Sequence, residues 1–134
     1  MVIQYSLDHV DDVAQQLIRL LNHSIVAFTG QMGSGKTTLI QSIVSQLGSK
    51  DNVSSPTFGL VHQYTTALGQ VVHMDLYRIE KENELEQLGF EDYLQTANLC
   101  LIEWPEMIAQ AIEGECHTVH IEWLDEYKRK LTFK

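Results

Sequence analysis

Glycine, lysine and threonine recur at a telling spacing in Gly30-Gln31-Met32-Gly33-Ser34-Gly35-Lys36-Thr37. A first glycine, four free positions and then Gly-Lys-Thr is the pattern of a phosphate-binding loop. Each residue type has a chemical reason to be there. Glycines let the backbone turn so that successive N–H groups converge on phosphate oxygens. Lys36 supplies a cation for the β- and γ-phosphates, and Thr37 offers a hydroxyl to Mg²⁺. A helix that starts at this point aims its positive dipole end at the same anion. Gly30, Gly33, Ser34, Gly35, Lys36, Thr37 and Thr38 are therefore the expected triphosphate-holding residues.

The flanking sequence supports the motif. Ile25-Val26-Ala27-Phe28-Thr29 has the length and apolarity of a buried strand. After the loop, Leu39, Ile40, Ile43, Val44 and Leu47 fall on one helical face, and Gly48 ends the helix. Strand, glycine-rich loop and helix is the order the motif requires.

Two acids extend the chemistry. Leu99-Cys100-Leu101-Ile102 reads as a strand buried on both faces and ends in Glu103. Val71-Val72-His73-Met74 ends in Asp75 in the same way. A carboxylate at the carboxyl edge of a sheet, downstream of a phosphate loop, can hold Mg²⁺ or orient an attacking water. Lys36, Glu103 and Asp75 are thus the expected catalytic residues, and Thr37, Glu103 and Asp75 the expected metal ligands. Trp104 follows Glu103 and fits either core packing or stacking on a base or partner. Pro105 comes next, and Met107, Ile108, Ala111 and Ile112 continue a helical apolar face.

The elements that must position these groups alternate between strand and helix, as in one α/β layer sandwich over residues 1–134. Asp8 is placed to cap a helix whose apolar stripe is Val10, Val13, Ala14, Leu17, Leu20 and Leu21. Gly48 to Thr57 reads as a polar loop near the nucleotide side. Phe58–Thr65 and Gln70–Met74 read as a hairpin closed by Thr66-Ala67-Leu68-Gly69. Val119, Ile121 and Trp123 alternate with Thr118, His120 and Glu122, predicting a half-exposed strand, a turn and a last strand ending near Phe133.

Composition narrows the classes. Eighteen acidic against nine basic residues give a net charge of −9, which repels a nucleic-acid backbone and argues against direct capture of RNA or DNA. The acid concentrated in Glu80 to Glu86 and Glu91-Asp92 fits a solvated helix face or a docking surface for a basic partner. No run approaches the roughly 18 apolar residues of a membrane span, and the first residues do not resemble a signal peptide, so a cytoplasmic protein with no membrane partner is expected. Cys100 and Cys116 lack metal-ligand spacing and are expected to be buried free thiols. His117 and His120 fall on opposite pleats, as ordinary strand histidines do.

The motifs together resemble a family. The phosphate loop, Ser55-Pro56-Thr57-Phe58, Asp75-Leu76-Tyr77-Arg78, Glu84-Leu85 with Gly89-Phe90-Glu91-Asp92-Tyr93, and Ile102-Glu103-Trp104-Pro105-Glu106 follow the order and spacing of TsaE (YjeE) proteins, from about residue 6 to residue 123. That resemblance implies a P-loop NTPase three-layer sandwich with a mixed, mostly parallel sheet carrying antiparallel hairpins. It implies ATP and Mg²⁺ as cofactors. It implies an ATPase that serves formation of the threonylcarbamoyl group on adenosine 37 of tRNAs reading ANN codons, with the TsaB–TsaD pair as partner and tRNA met only through that complex. It places a switch-like segment on Ser55, Pro56 and Thr57, with Thr57 and Trp104 at the nucleotide. A further nucleotide contact from the last strands falls loosely near Lys128-Arg129-Lys130. The loop departs from the family's common G-D-L-G-A-G-K-T at Gln31, Met32 and Ser34, leaving the phosphate-holding positions intact.

Two other classes stay open on the residues alone. A small-molecule kinase shares the loop but needs lid arginines, and the chain has only Arg19, Arg78 and Arg129. A binding module would hold ATP with little hydrolysis. A regulatory GTPase is excluded by the absence of N-K-x-D and D-x-x-G motifs. Arg78 is a candidate cis cation, although packing against Glu80 or Glu103 serves it equally.

Overall fold

A computed structural model describes residues 1–49 and 60–134, together with the backbone of 54–57. The strands are β1 (Val2–Ser6), β2 (Ile25–Thr29), β3 (Ser54–Thr57), β4 (Val61–Thr66), β5 (Gly69–Asp75), β6 (Leu99–Glu103), β7 (His117–Trp123) and β8 (Lys128–Phe133). The helices are α1 (Val10–Leu20), α2 (Lys36–Gln46), α3 (Glu82–Leu88), α4 (Phe90–Thr96) and the single turn α5 (Ala109–Ile112). All strands join one sheet in the order β1-β8-β7-β2-β6-β5-β4-β3. The central four, β7, β2, β6 and β5, are parallel. Antiparallel strands extend the sheet at both edges, β4 and β3 beyond β5, and β8 and β1 beyond β7.

Period-two alternation explains the three layers. On β2, Val26 and Phe28 join a core with Val13, Ala14 and Leu17 of α1 and Leu39, Ile40, Ile43 and Val44 of α2. Ile25 and Ala27 face the other way, into a core with Leu85, Leu88, Phe90, Ile108 and Ile112. Leu99 and Leu101 of β6 belong to the first core, Cys100 and Ile102 to the second. This is the P-loop NTPase arrangement of helices on both faces of a mixed sheet.

Some expected details move. Asp8 is not the cap of α1, because it lies inside a 3₁₀ turn at Leu7–His9 and His9 occupies the N-cap position. Leu20 leaves the apolar stripe and stands 45% exposed at the end of α1. Of the expected loop Gly48–Thr57, residues 50–53 lie outside the described residues, as does Phe58, and Ser54–Thr57 runs as edge strand β3. The hairpin forms as expected, with Thr66 paired to Gly69. The face after Pro105 is a 3₁₀ turn, Pro105–Ile108, followed by α5, with Ile108 and Ile112 buried and Ala111 exposed.

Candidate functional site

β2 delivers the chain to the glycine-rich loop, and α2 carries it away. Gly30, Gly33 and Gly35 have φ of 138°, 80° and 106°, values that L side chains rarely adopt. Gly30 is also needed for space. A Cβ there would drive into the carbonyl oxygen of Ile121 on β7 and come within 2.9 Å of Ser34 Oγ. The N–H of Ser34 donates to Gln31 O at 3.0 Å and closes a turn in the loop. Gly35 is the N-cap of α2 with no side-chain capping bond, so the free N–H groups of the first turn open toward the same space.

That space is a cavity of about 270 Å³ lined by Met32, Gly33, Gly35, Lys36, Thr37, Thr38, Asp75, Tyr77, Glu103 and Trp104. Lys36 is the one cation in the lining among the described residues. Its Nζ donates to Gly30 O at 2.6 Å and Gln31 O at 3.1 Å and lies 4.3 Å from the centre of the Trp104 ring. An ammonium has three N–H donors, so one remains for an anion. Burial pushes the Lys36 ammonium below its ordinary pKa, while Glu103, Asp75 and Glu106 pull in the opposite direction.

The two acids meet because the sheet register brings them together. Asp75 on β5 and Glu103 on β6 are Cα partners across a parallel pair. Both share the sheet face of α2, since Val71 and Leu101 on the same pleats pack in the α2 core. Glu103 is 3% exposed, and Thr37 Oγ1 donates to its Oε1 and Oε2 at 3.0 and 3.1 Å. His73 Nε2 lies 2.7 Å from Oε2. Burial raises the Glu103 pKa, but the bond and charge of His73, the Thr37 bond and Lys36 outweigh it and hold the carboxyl below its ordinary value. Asp75 Oδ1 accepts from Tyr77 N at 3.1 Å, ordering the turn after β5.

Trp104 has φ 56° and ψ 61°, the one non-glycine with positive φ among the described residues. This backbone turns the chain at the end of β6 and lays the indole beside Lys36 and Tyr77, whose ring centre is 4.9 Å away. Neither pure core packing nor full exposure describes it, because the ring is half-buried on the cavity wall.

Two residues at the site were not singled out as functional by sequence reasoning or were placed only loosely. His73 shares the face of Asp75 two residues away, a period-two signal that names the face but not the partner. Arg129 on β8 is 6% exposed and braces the loop from the far side. Its Nε donates to Ser34 O at 2.9 Å and its Nη1 to Asp125 O at 2.7 Å and Lys128 O at 3.0 Å. Arg78 is exposed, and no ion pair joins it to Glu80 or Glu103 among the described residues. Ser34 is buried with its Oγ unpartnered, neither it nor Gly30 lines the cavity, and the side chain of Thr57 lies outside the described residues.

The donor set fits magnesium nucleotide. A hydroxyl and two carboxylates, Thr37, Glu103 and Asp75, are hard oxygen ligands of the kind Mg²⁺ takes. The unpartnered Ser34 Oγ and the uncapped N-terminus of α2 suit an anion. This set has only two acids, and no group of three or more His, Cys, Asp or Glu residues among the described residues is arranged for a metal.

Fold and site together define a P-loop nucleotide-binding protein. The family model for threonylcarbamoyl adenosine biosynthesis protein TsaE matches residues 5–131. The chain belongs to the TsaE family. A relative from Haemophilus influenzae, named tRNA threonylcarbamoyladenosine biosynthesis protein TsaE, is 41% identical over 103 residues, covering 76% of this chain. The chain spans 65% of that relative's length. A relative of the same name from Aquifex aeolicus is 33% identical over 134 residues, covering 97% of this chain and 92% of its own. The crystal structure of YdiB from Bacillus subtilis superposes with a TM-score of 0.71 at 23% identity, over 99% of this chain and 86% of that one. It shares the fold. No helix among the described residues is long and apolar enough to cross a membrane.

Proposed function

We propose that this chain is an ATP hydrolase of tRNA threonylcarbamoyladenosine formation, working in the cytoplasm with the TsaB–TsaD pair on adenosine 37 of tRNAs reading ANN codons. The observation that carries the reading is the contact of Thr37 with Glu103, with Asp75 one strand away in register. The loop hydroxyl and the two strand-end carboxylates line one cavity with Lys36, which supports this reading. The names of the relatives supply the pathway.

In this reading Gly33, Gly35 and the first turn of α2, including Thr38, cradle the phosphates, and Lys36 turns its free N–H toward them. Thr37, Glu103 and Asp75 hold the magnesium ion. Bound ATP and Mg²⁺ supply the transferable phosphoryl group and a divalent charge that neutralises it. Glu103 keeps a proton-accepting carboxylate at the cavity wall, where it can orient water. Trp104 and Tyr77 line the cavity beside Lys36.

No arginine lines the cavity among the described residues. A partner can therefore complete the site by adding a cation or ordering a loop, an effect worth about 10³-fold or more when an arginine is supplied in trans. With a net charge of −9, contact with tRNA runs through the complex. The test is steady-state phosphate release by this chain alone, with TsaB, with TsaD and with both. Slow release alone and a large increase with the pair is the expected result. Equal rates in all four mixtures would refute partner activation, and phosphate transfer to a small molecule would favour a kinase.

A further inference from the structure

Glu103 is held from two sides, and only one of them belongs to the cavity. Thr37 lines the cavity and shares a single hydroxyl proton between the two carboxylate oxygens. When that hydroxyl turns to a ligand, its hold on Glu103 weakens. His73 is absent from the cavity lining and touches Oε2 from behind, at 2.7 Å, with both side chains buried. A carboxylate only accepts, so the proton of this bond sits on His73 Nε2. The imidazole is itself held. His62 on β4 is its register partner, and the two rings stack at 5.7 Å with planes 26° apart.

Three neighbouring strands thus contribute one row, His62 on β4, His73 on β5 and Glu103 on β6, directed at Thr37. We propose that His73 is a positioning residue that keeps the Glu103 carboxylate turned toward Thr37 whatever occupies the cavity, and thereby sets how strongly magnesium supports nucleotide binding. The inference rests on the magnesium nucleotide reading of the site. Hydrogen-bonding partners behind metal-binding carboxylates affect metal affinity about 10- to 100-fold.

The experiment measures the affinity for β,γ-imido-ATP by calorimetry with Mg²⁺ and with EDTA, the ratio of the two constants being the readout. His73→Asn keeps a polar side chain but stops short of Glu103, and His73→Gln extends an amide N–H to about the position of Nε2. Expected for His73→Asn is a ratio about tenfold or more below wild type with the EDTA affinity unchanged. His73→Gln should return the ratio to near the wild-type value. In a Glu103→Gln background His73→Asn should add little, because the residue acts through Glu103. An unchanged ratio in His73→Asn, or an equal loss with and without Glu103, overturns the proposal, as does a wild type whose binding ignores Mg²⁺. Should no mixture release phosphate while the ratio still falls in His73→Asn, hydrolysis is refuted and the positioning role stands.

Discussion

Asp75 and Glu103 face each other as register partners on adjacent parallel strands, and Leu76 N donates to Glu103 O at 3.1 Å just beyond the pair. The turn after β5 is thereby tied to the end of β6, so neither acid can shift along its strand alone.

Charge-removing, shape-conserving changes at these acids should separate chemistry from binding. Glu103→Gln and Asp75→Asn are each expected to lower phosphate release at saturating Mg²⁺ and nucleotide at least about tenfold, beyond any loss of Mg²⁺-supported affinity, while binding in EDTA stays close to that of the parent, since placement of metal and water matters most in the transition state. Parallel calorimetry and phosphate-release assays check this. Parent-rate hydrolysis in either variant removes that residue from the catalytic set.

Thr37→Ala leaves the loop N–H groups and Lys36 in place. It should weaken nucleotide binding in Mg²⁺ while leaving binding in EDTA close to that of the parent. The same loss in both conditions would assign Thr37 to the phosphates rather than the metal.

Arg129→Ala removes a buried fork that satisfies the carbonyls of Ser34, Asp125 and Lys128. Charged hydrogen bonds of this kind contribute about 1.5–3 kcal/mol each, so denaturant unfolding should show a loss of at least about 2 kcal/mol. Nucleotide affinity should fall with it, because the braced carbonyl belongs to the loop. Arg129→Lys should not rescue, since a point ammonium cannot span these acceptors.

The cysteines offer a check on the second core. Burial pushes the Cys100 thiol up to about 12, and its Sγ donates to Tyr93 O at 3.3 Å. Cys116 is also raised by burial but is only half-buried. A thiol reagent near neutral pH should label Cys116 first and Cys100 only on unfolding, as mass spectrometry of timed samples would show. Early labelling of Cys100 would contradict the packing of β6.

What the sequence made legible was local. The loop, β2, α2 and β6 are contiguous, and their glycines and apolar periods mark them directly. Asp75 and Glu103 each carried the mark of an acid at a strand end, yet that they are partners depends on β5 lying beside β6. His73 was invisible for the same reason, because its bond to Glu103 is diagonal across that register. Arg129 reaches the loop only because β8 folds back on β7, an arrangement that the alternation of β7 does not encode. Trp104 adopts a left-handed backbone that its residue type disfavours, so the residue type alone left core packing and stacking both open.

The central claim is that this loop binds ATP with Mg²⁺ through Lys36. Calorimetric titration of ATP and Mg²⁺ into the parent chain and into Lys36→Ala tests it most directly. The expected result is single-site binding in the parent and at least about a hundredfold weaker binding in the variant, as loss of a buried charge-assisted contact of about 3 kcal/mol implies. Equal affinity in the two proteins, with the variant folded, would contradict the account.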